Sequence, residues 1–205
     1  MERDVATEPR QRMSKSERHR QLLDTARELI RDEGTDTFTL GRLAERARVT
    51  KPLVYDHFGD RAGVLAELYR EFESRQRETL EEALRGSAPD LAAVSKLVAG
   101  AYIDCCLAEG RELADVVAAL AGSATLAQVR QEAEDEYLSM CRTALEPLSG
   151  PLDTASLAAI VGAGDALARR ALDGSIDADR ARATLTQLVA ALCRENTQDA
   201  RTTER

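Results

Sequence analysis

Thr39, Arg42, Thr50, Lys51, Pro52, Tyr55, His57 and Arg61 fall within residues 38–61, where the apolar positions are spaced for two short helices. Hydroxyls, cations, a phenol and an imidazole carried on such a scaffold suit phosphate oxygens and base edges rather than bond making. Catalysis requires a convergent acid, base or nucleophile. The histidines are His19 and His57 alone, both close to this segment, and no glycine-rich phosphate loop follows a strand pattern, so neither an enzyme nor a cofactor is expected. Cys105, Cys106, Cys141 and Cys193 show no Cys-x-x-Cys spacing and no neighbouring histidine, so no metal site is expected and buried thiols are the simplest reading.

The helices beneath these groups carry local signals. Thr39 can cap the first short helix, with Phe38 and Leu43 at hydrophobic-staple spacing. Leu40, Leu43, Ala44 and Ala47 share one face and leave Arg42, Glu45, Arg46 and Arg48 toward solvent. Thr50 repeats the cap, Val49 and Val54 repeat the staple, and Pro52 takes the second helical position, where a missing N–H removes no intrahelical bond. Thr50 is therefore expected to cap the N–H of Leu53. With Leu53, Val54 and Phe58 inward, Lys51, Tyr55 and His57 are expected outward. A helix with so little apolar surface is held by docking, and it projects its N-terminal residues as a helix-turn-helix reader of the major groove does.

At these residues the chain resembles the TetR family of bacterial transcriptional repressors, whose pattern is a capped helix, a turn ending in Val-Ser/Thr, then Tyr-x-His/Tyr-Phe and a Lys. Here it reads Thr39, Leu43-Ala44, Ala47, Val49-Thr50, Leu53, Tyr55, His57-Phe58 and Arg61, and the resemblance spans Arg18 to Leu65. Arg48 stands where a Gly usually makes the turn, so a left-handed backbone costing on the order of 1 kcal/mol is expected there. Arg61 replaces the usual Lys, keeping the charge with different hydrogen-bond geometry. The resemblance implies that Thr39, Thr50, Tyr55, His57 and Arg61 hold phosphates of a double-stranded operator. Lys51 and Pro52 would lead the reading helix toward guanine and a thymine methyl, and Arg42 would reach phosphate or base.

Charge is divided unevenly. Of 205 residues with a net charge of −8, residues 1–61 hold 13 Lys and Arg against 12 Asp and Glu, so the body carries the acidic excess. Phosphate attraction acts within about 8 to 10 Å, so a locally basic end suffices. Residues 1–15 read as a disordered basic arm, in which Arg10 and Arg12 could track a minor groove, residues 16–61 as the DNA-binding domain, 62–194 as a helical body and 195–205 as a disordered tail. The start has no apolar core for a signal peptide, and the longest uncharged stretch, Val116 to Val129, is too short to span a bilayer; a cytoplasmic protein is expected.

Aromatics make up only 3% of the chain and Trp is absent, so the core must be built from Leu, Val, Ile and Ala: an all-α fold of about nine helices. A first helix from Ser16 stops at Gly34. A long helix capped by Asp60 carries Val64, Leu65, Leu68, Tyr69 and Phe72 inward as far as Leu84, before Gly86-Ser87-Ala88-Pro89. Helices are expected at Leu91–Glu109, Arg111–Ala121, Thr125–Leu145 (stopped by Pro147), Thr154–Leu172 and Ala178–Arg194, with Gly162 and Gly164 admitting another backbone. The family resemblance implies a homodimer through residues 154–194 and a small-molecule ligand in the body. Tyr102, Cys105, Cys106, Tyr137 and Met140 are candidate lining residues because they interrupt Leu/Ala-rich helices, and the scarcity of rings favours an aliphatic ligand. The rival reading is a helical protein-interaction module, or a DNA-binding protein without a ligand.

Overall fold

The computed structural model describes residues 13–86, 90–110, 115–117, 119 and 124–203. Among them the regular structure is entirely helical: α1 Lys15–Glu33, α2 Leu40–Ala47, α3 Lys51–Phe58, α4 Arg61–Leu84, α5 Leu91–Glu109, α6 Ala124–Ser149, α7 Thr154–Leu172 and α8 Ala178–Thr203. Residues 115–117 and 119 are helical, and the rest of the Arg111–Ala121 helix lies outside the described residues. So do Ser87, Ala88 and Pro89 after α4, and Arg10 and Arg12 of the arm.

Side-chain caps place most helix starts. Ser14 accepts from Glu17 N–H while the Glu17 carboxylate accepts from Ser14 N–H, a capping box that begins α1 at Lys15 and orders residues assigned above to the arm. Asp60, Asp90 and Asp153 each accept from an N–H three residues on and open α4, α5 and α7. Two ends run further than expected. α6 continues through Pro147 to Ser149, so Leu148 and Ser149 are helical. Pro147 is exposed and in the last turn, where only one intrahelical bond is forfeited, and Gly150, at φ 78°, closes the helix on the Glu146 carbonyl. α8 continues past Arg194 to Thr203, so residues 195–203 extend the helix instead of forming a tail; they contain no Gly or Pro to stop it.

One contiguous buried cluster runs from Leu22 in α1 to Cys193 in α8. α4 joins its two parts, packing on α1 and α3 at its start and on α5 and α6 further along. At 24 residues it is about 36 Å long. α5 is long and apolar enough to match a membrane span by length and composition, yet it carries Lys96 and Asp104 and is the body's central helix, packed by α4, α6, α7 and α8. Gly164 admits a side chain, not a backbone: a Cβ there would lie 2.6 Å from the Tyr102 ring, while Gly162 faces open space.

Candidate nucleic-acid interface and a second polar site

α2 ends in a left-handed turn at Arg48 (φ 54°, ψ 46°). Val49 N–H donates to the Ala44 carbonyl and Arg48 N–H to that of Glu45, the two bonds of a Schellman turn, so the expected non-glycine left-handed residue is present and its strain is offset by both bonds. Thr39 caps α2 by accepting from Arg42 N–H at 3.2 Å. Thr50 departs from expectation: its side chain makes no cap bond, and Leu53 N–H donates instead to the Thr50 carbonyl at 3.1 Å. The Thr50 hydroxyl thus stays exposed at the start of α3.

Val54 and Phe58 are the buried residues of α3, and Lys51, Pro52, Tyr55 and Asp56 are exposed, Tyr55 at 52%. Lys51 leans back over α2, where a Cβ at Gly41 would stand 3.3 Å from its Cε and 3.5 Å from its Nζ. The absence of a side chain at position 41 therefore sets the ammonium beside the first turn of α2. Two helix N-termini, an ammonium and three exposed hydroxyl groups (Thr39, Thr50, Tyr55) share one end of the molecule, and N-terminal N–H groups and cations both favour phosphate.

The other three predicted residues make internal contacts. Arg42 pairs with Glu33 of α1, although it remains exposed. Arg61 donates from Nη2 to the Thr35 carbonyl at 2.7 Å and from Nε to that of Phe38 at 3.2 Å, tying the α1–α2 loop to the start of α4. His57 turns inward, its Nδ1 3.2 Å from Nδ1 of His19, whose Nε2 is 2.5 Å from Glu67 of α4. Desolvation, then the neighbouring His19 and Lys15, lowers the His57 pKa, so its ring is neutral at pH 7 and serves to link α1, α3 and α4. These pairings span 38 and 48 positions of sequence, beyond the reach of helical periodicity.

In the body, Tyr102 and Tyr137 meet edge to face, with centroids 5.5 Å apart, on a cavity of about 40 Å³. Met140 lies on a separate open groove, and neither Cys105 nor Cys106 lines the cavity. All four cysteines are buried; burial pushes the Cys105 thiol up to about 11 and the Cys141 thiol to about 12, and raises Cys106 further, so these three stay protonated and unreactive. The cavity also draws on residues that the reading of single helices missed: Tyr69, Phe72, Glu73 and Gln76 of α4, Arg130 and Glu134 of α6, and Asp165 of α7. Tyr102 donates to Asp165 at 2.6 Å, and Arg130 reaches Asp165 at 3.3 Å and Glu134 at 4.0 Å. Burial pushes the Glu73 carboxyl up to about 7. One signal was available: positions 69, 73, 76 and 80 fall on a single stripe of α4, so two polar residues interrupt an otherwise apolar face.

Residues 22–68 match the family model described as bacterial regulatory proteins, tetR family. We found no match among curated protein sequences. Several solved structures share the fold. The fatty acid degradation regulator FadR from Bacillus halodurans superposes with a TM-score of 0.71 at 22% identity, covering 84% of this chain and 94% of its own. FadR from Bacillus subtilis, in complex with stearoyl-CoA, gives 0.70 at 21%, covering 84% and 97%. A TetR-family transcriptional regulator from Streptomyces coelicolor gives 0.70 at 19%, covering 89% and 97%.

Proposed function

From a chain that carries the N-terminal domain of the TetR family on a TetR-like all-helical fold, we propose a homodimeric transcriptional regulator, a repressor that releases a palindromic operator when its body binds a small molecule. The observation that carries this reading is α3: clamped from behind by Val54 and Phe58, it offers Lys51, Pro52 and Tyr55 to solvent at one end of the molecule.

Lys51 and Pro52 are the base readers, Lys51 toward guanine O6 and N7 and Pro52 toward a thymine methyl. Thr39, Thr50 and Tyr55, with the N-terminal amides of α2, hold phosphates and set register. Arg42 joins them by exchanging Glu33 for a phosphate, an anion of the same geometry. Arg61 and His57 act behind the surface, fixing the α1–α2 loop and α3 on which the contacts stand.

The dimer uses α7 and α8. Ala155, Ala159, Gly162 and Ala166 form an exposed small-residue stripe on α7, opposite its buried Leu157, Ile160, Val161 and Ala168, and small side chains let a second helix approach closely. A two-fold axis through that face presents two α3 helices to half-sites one helical turn apart, about 34 to 36 Å or somewhat more. α4 supplies the coupling, since one rigid helix packs on α3 and also lines the cavity of the body. A coupling free energy of about 1 to 3 kcal/mol corresponds to a roughly 5- to 150-fold change in operator affinity.

Selection of tight-binding fragments from random DNA with the purified full-length protein tests this reading. The expected product is a two-fold symmetric site whose affinity falls steeply with salt, with a log–log slope of about −0.9 per phosphate contacted. An asymmetric consensus, or affinity indifferent to salt, would overturn it.

A further inference from the structure

Glu73, Gln76 and Tyr137 are each more than nine-tenths buried, and among the described residues Glu73 Oε2, Gln76 Nε2 and the Tyr137 hydroxyl have no hydrogen-bond partner beyond the weakly accepting Cys141 sulfur beside Tyr137. Unsatisfied buried polar atoms are uncommon because each forfeits its hydration, and all three of these belong to residues lining one cavity of about 40 Å³. The walls are as distinctive: Tyr69, Phe72, Tyr102 and Tyr137, every aromatic residue of the chain beyond Phe58, line the same cavity. A sequence poor in rings has gathered its body aromatics in one place.

The charges are unbalanced. Arg130 is shared between Asp165 and Glu134, and Arg77, the next guanidinium toward Glu73, is paired with Glu136. Among the described residues Glu73 makes no ion pair; it takes a hydrogen bond from Tyr69 and shares its cavity with four aromatic rings, whose faces attract cations and repel anions. An acyl chain has neither the charge nor the compactness for this space. We propose that the cavity between α4, α5, α6 and α7 binds a compact ammonium cation bearing N–H donors, no larger than methylammonium, with Glu73 as its counter-ion. The cation donates to Glu73 Oε2 and to the Tyr137 oxygen. This assignment rests on the reading of the body as the ligand-sensing half of a regulator, and it names the ligand class.

Binding is coupled to a proton. Around Glu73 stand Tyr69 and Arg77 on its own helix, Tyr102 and Cys106 on α5, Arg130, Glu134 and Tyr137 on α6, and Asp165 on α7. Desolvation dominates among these influences and holds the empty site's carboxyl near 7, so at pH 6 the cation must displace a proton.

The test uses the full-length protein with ammonium and methylammonium chloride as probes, against sodium propionate and sodium chloride at matched ionic strength. Either cation at about a hundredfold excess over its Kd should raise Tm by about 5 °C or more. Calorimetry at pH 6 in two buffers of different ionisation enthalpy should show close to one proton released per cation bound. Affinity should fall about tenfold per pH unit below 7. Glu73→Gln should weaken binding at least about tenfold and abolish proton release. An equal response to propionate, no response to either cation because the cavity holds water alone, or undiminished affinity in Glu73→Gln would overturn the proposal. Proton release by the unmodified protein decides the matter if the variant does not fold. Neither readout involves DNA, so a protein that binds the cation and no operator refutes the regulator alone, and one that binds an operator and no cation refutes this site alone.

Discussion

Replacing Glu73 by Gln should stabilise the free protein, and by more as pH rises. The side chain is 6% exposed, so little solvent screens it, and burial raises its carboxyl from the ordinary 4.5 to about 7. A raised acid binds its proton more tightly in the folded state than in the unfolded one. Stability is therefore full below about pH 4.5, declines as pH climbs toward 7, and stays reduced above it. At about 1.36 kcal/mol per pH unit across that interval, the loss approaches about 3 kcal/mol, of which about 2 to 3 kcal/mol falls between pH 5 and pH 8. The introduced carboxamide has the shape of the protonated acid and no proton to lose, so the variant should not share this decline. The assay is urea unfolding of both proteins at pH 5, 6, 7 and 8, at one protein concentration and in phosphate free of ammonium ions, which could themselves occupy the cavity. Other titrating groups cancel in the difference between the two curves. Parallel curves would contradict this account of Glu73, since a carboxyl with an ordinary pKa gains nothing from being made neutral.

Lys51→Ala should lower discrimination among operator variants by about 1 to 3 kcal/mol in competition binding, and an equal loss on specific and random DNA would contradict base reading. Tyr55→Phe should weaken all sequences alike, because an exposed phenol on α3 is placed for phosphate; unchanged affinity in a filter or anisotropy assay would remove it from the interface. Arg48→Gly should raise unfolding stability by up to about 1 kcal/mol by relieving the left-handed backbone at φ 54°, and a decrease would show that the arginine side chain stabilises the turn. Gly164→Ala should destabilise the body by about 1 to 3 kcal/mol, because its methyl would sit 2.6 Å from the buried Tyr102 ring, whose hydroxyl is held by Asp165; a neutral effect on Tm would mean that the ring can move.

Features that depend on residues three to five apart were legible in the chain before any fold was known. Thr39 and Asp60 precede the helices they cap, the apolar stripe of α4 marks its buried face, and Arg48 takes the left-handed turn expected where the family pattern has a Gly. The exposure of Lys51, Pro52 and Tyr55 followed from the same spacing. Even there a local signal could mislead, since Thr50 leaves its helix uncapped by any side chain and Pro147 fails to stop α6. The pairings between helices came only with the docked molecule: His57 against His19 and Glu67, Arg61 on the Thr35 and Phe38 carbonyls, and four distant aromatic rings around Glu73, Gln76 and Asp165. Periodicity tells which face of a helix is buried; which partner that face meets, and whether a buried carboxylate finds a counter-charge there, depends on how the helices dock.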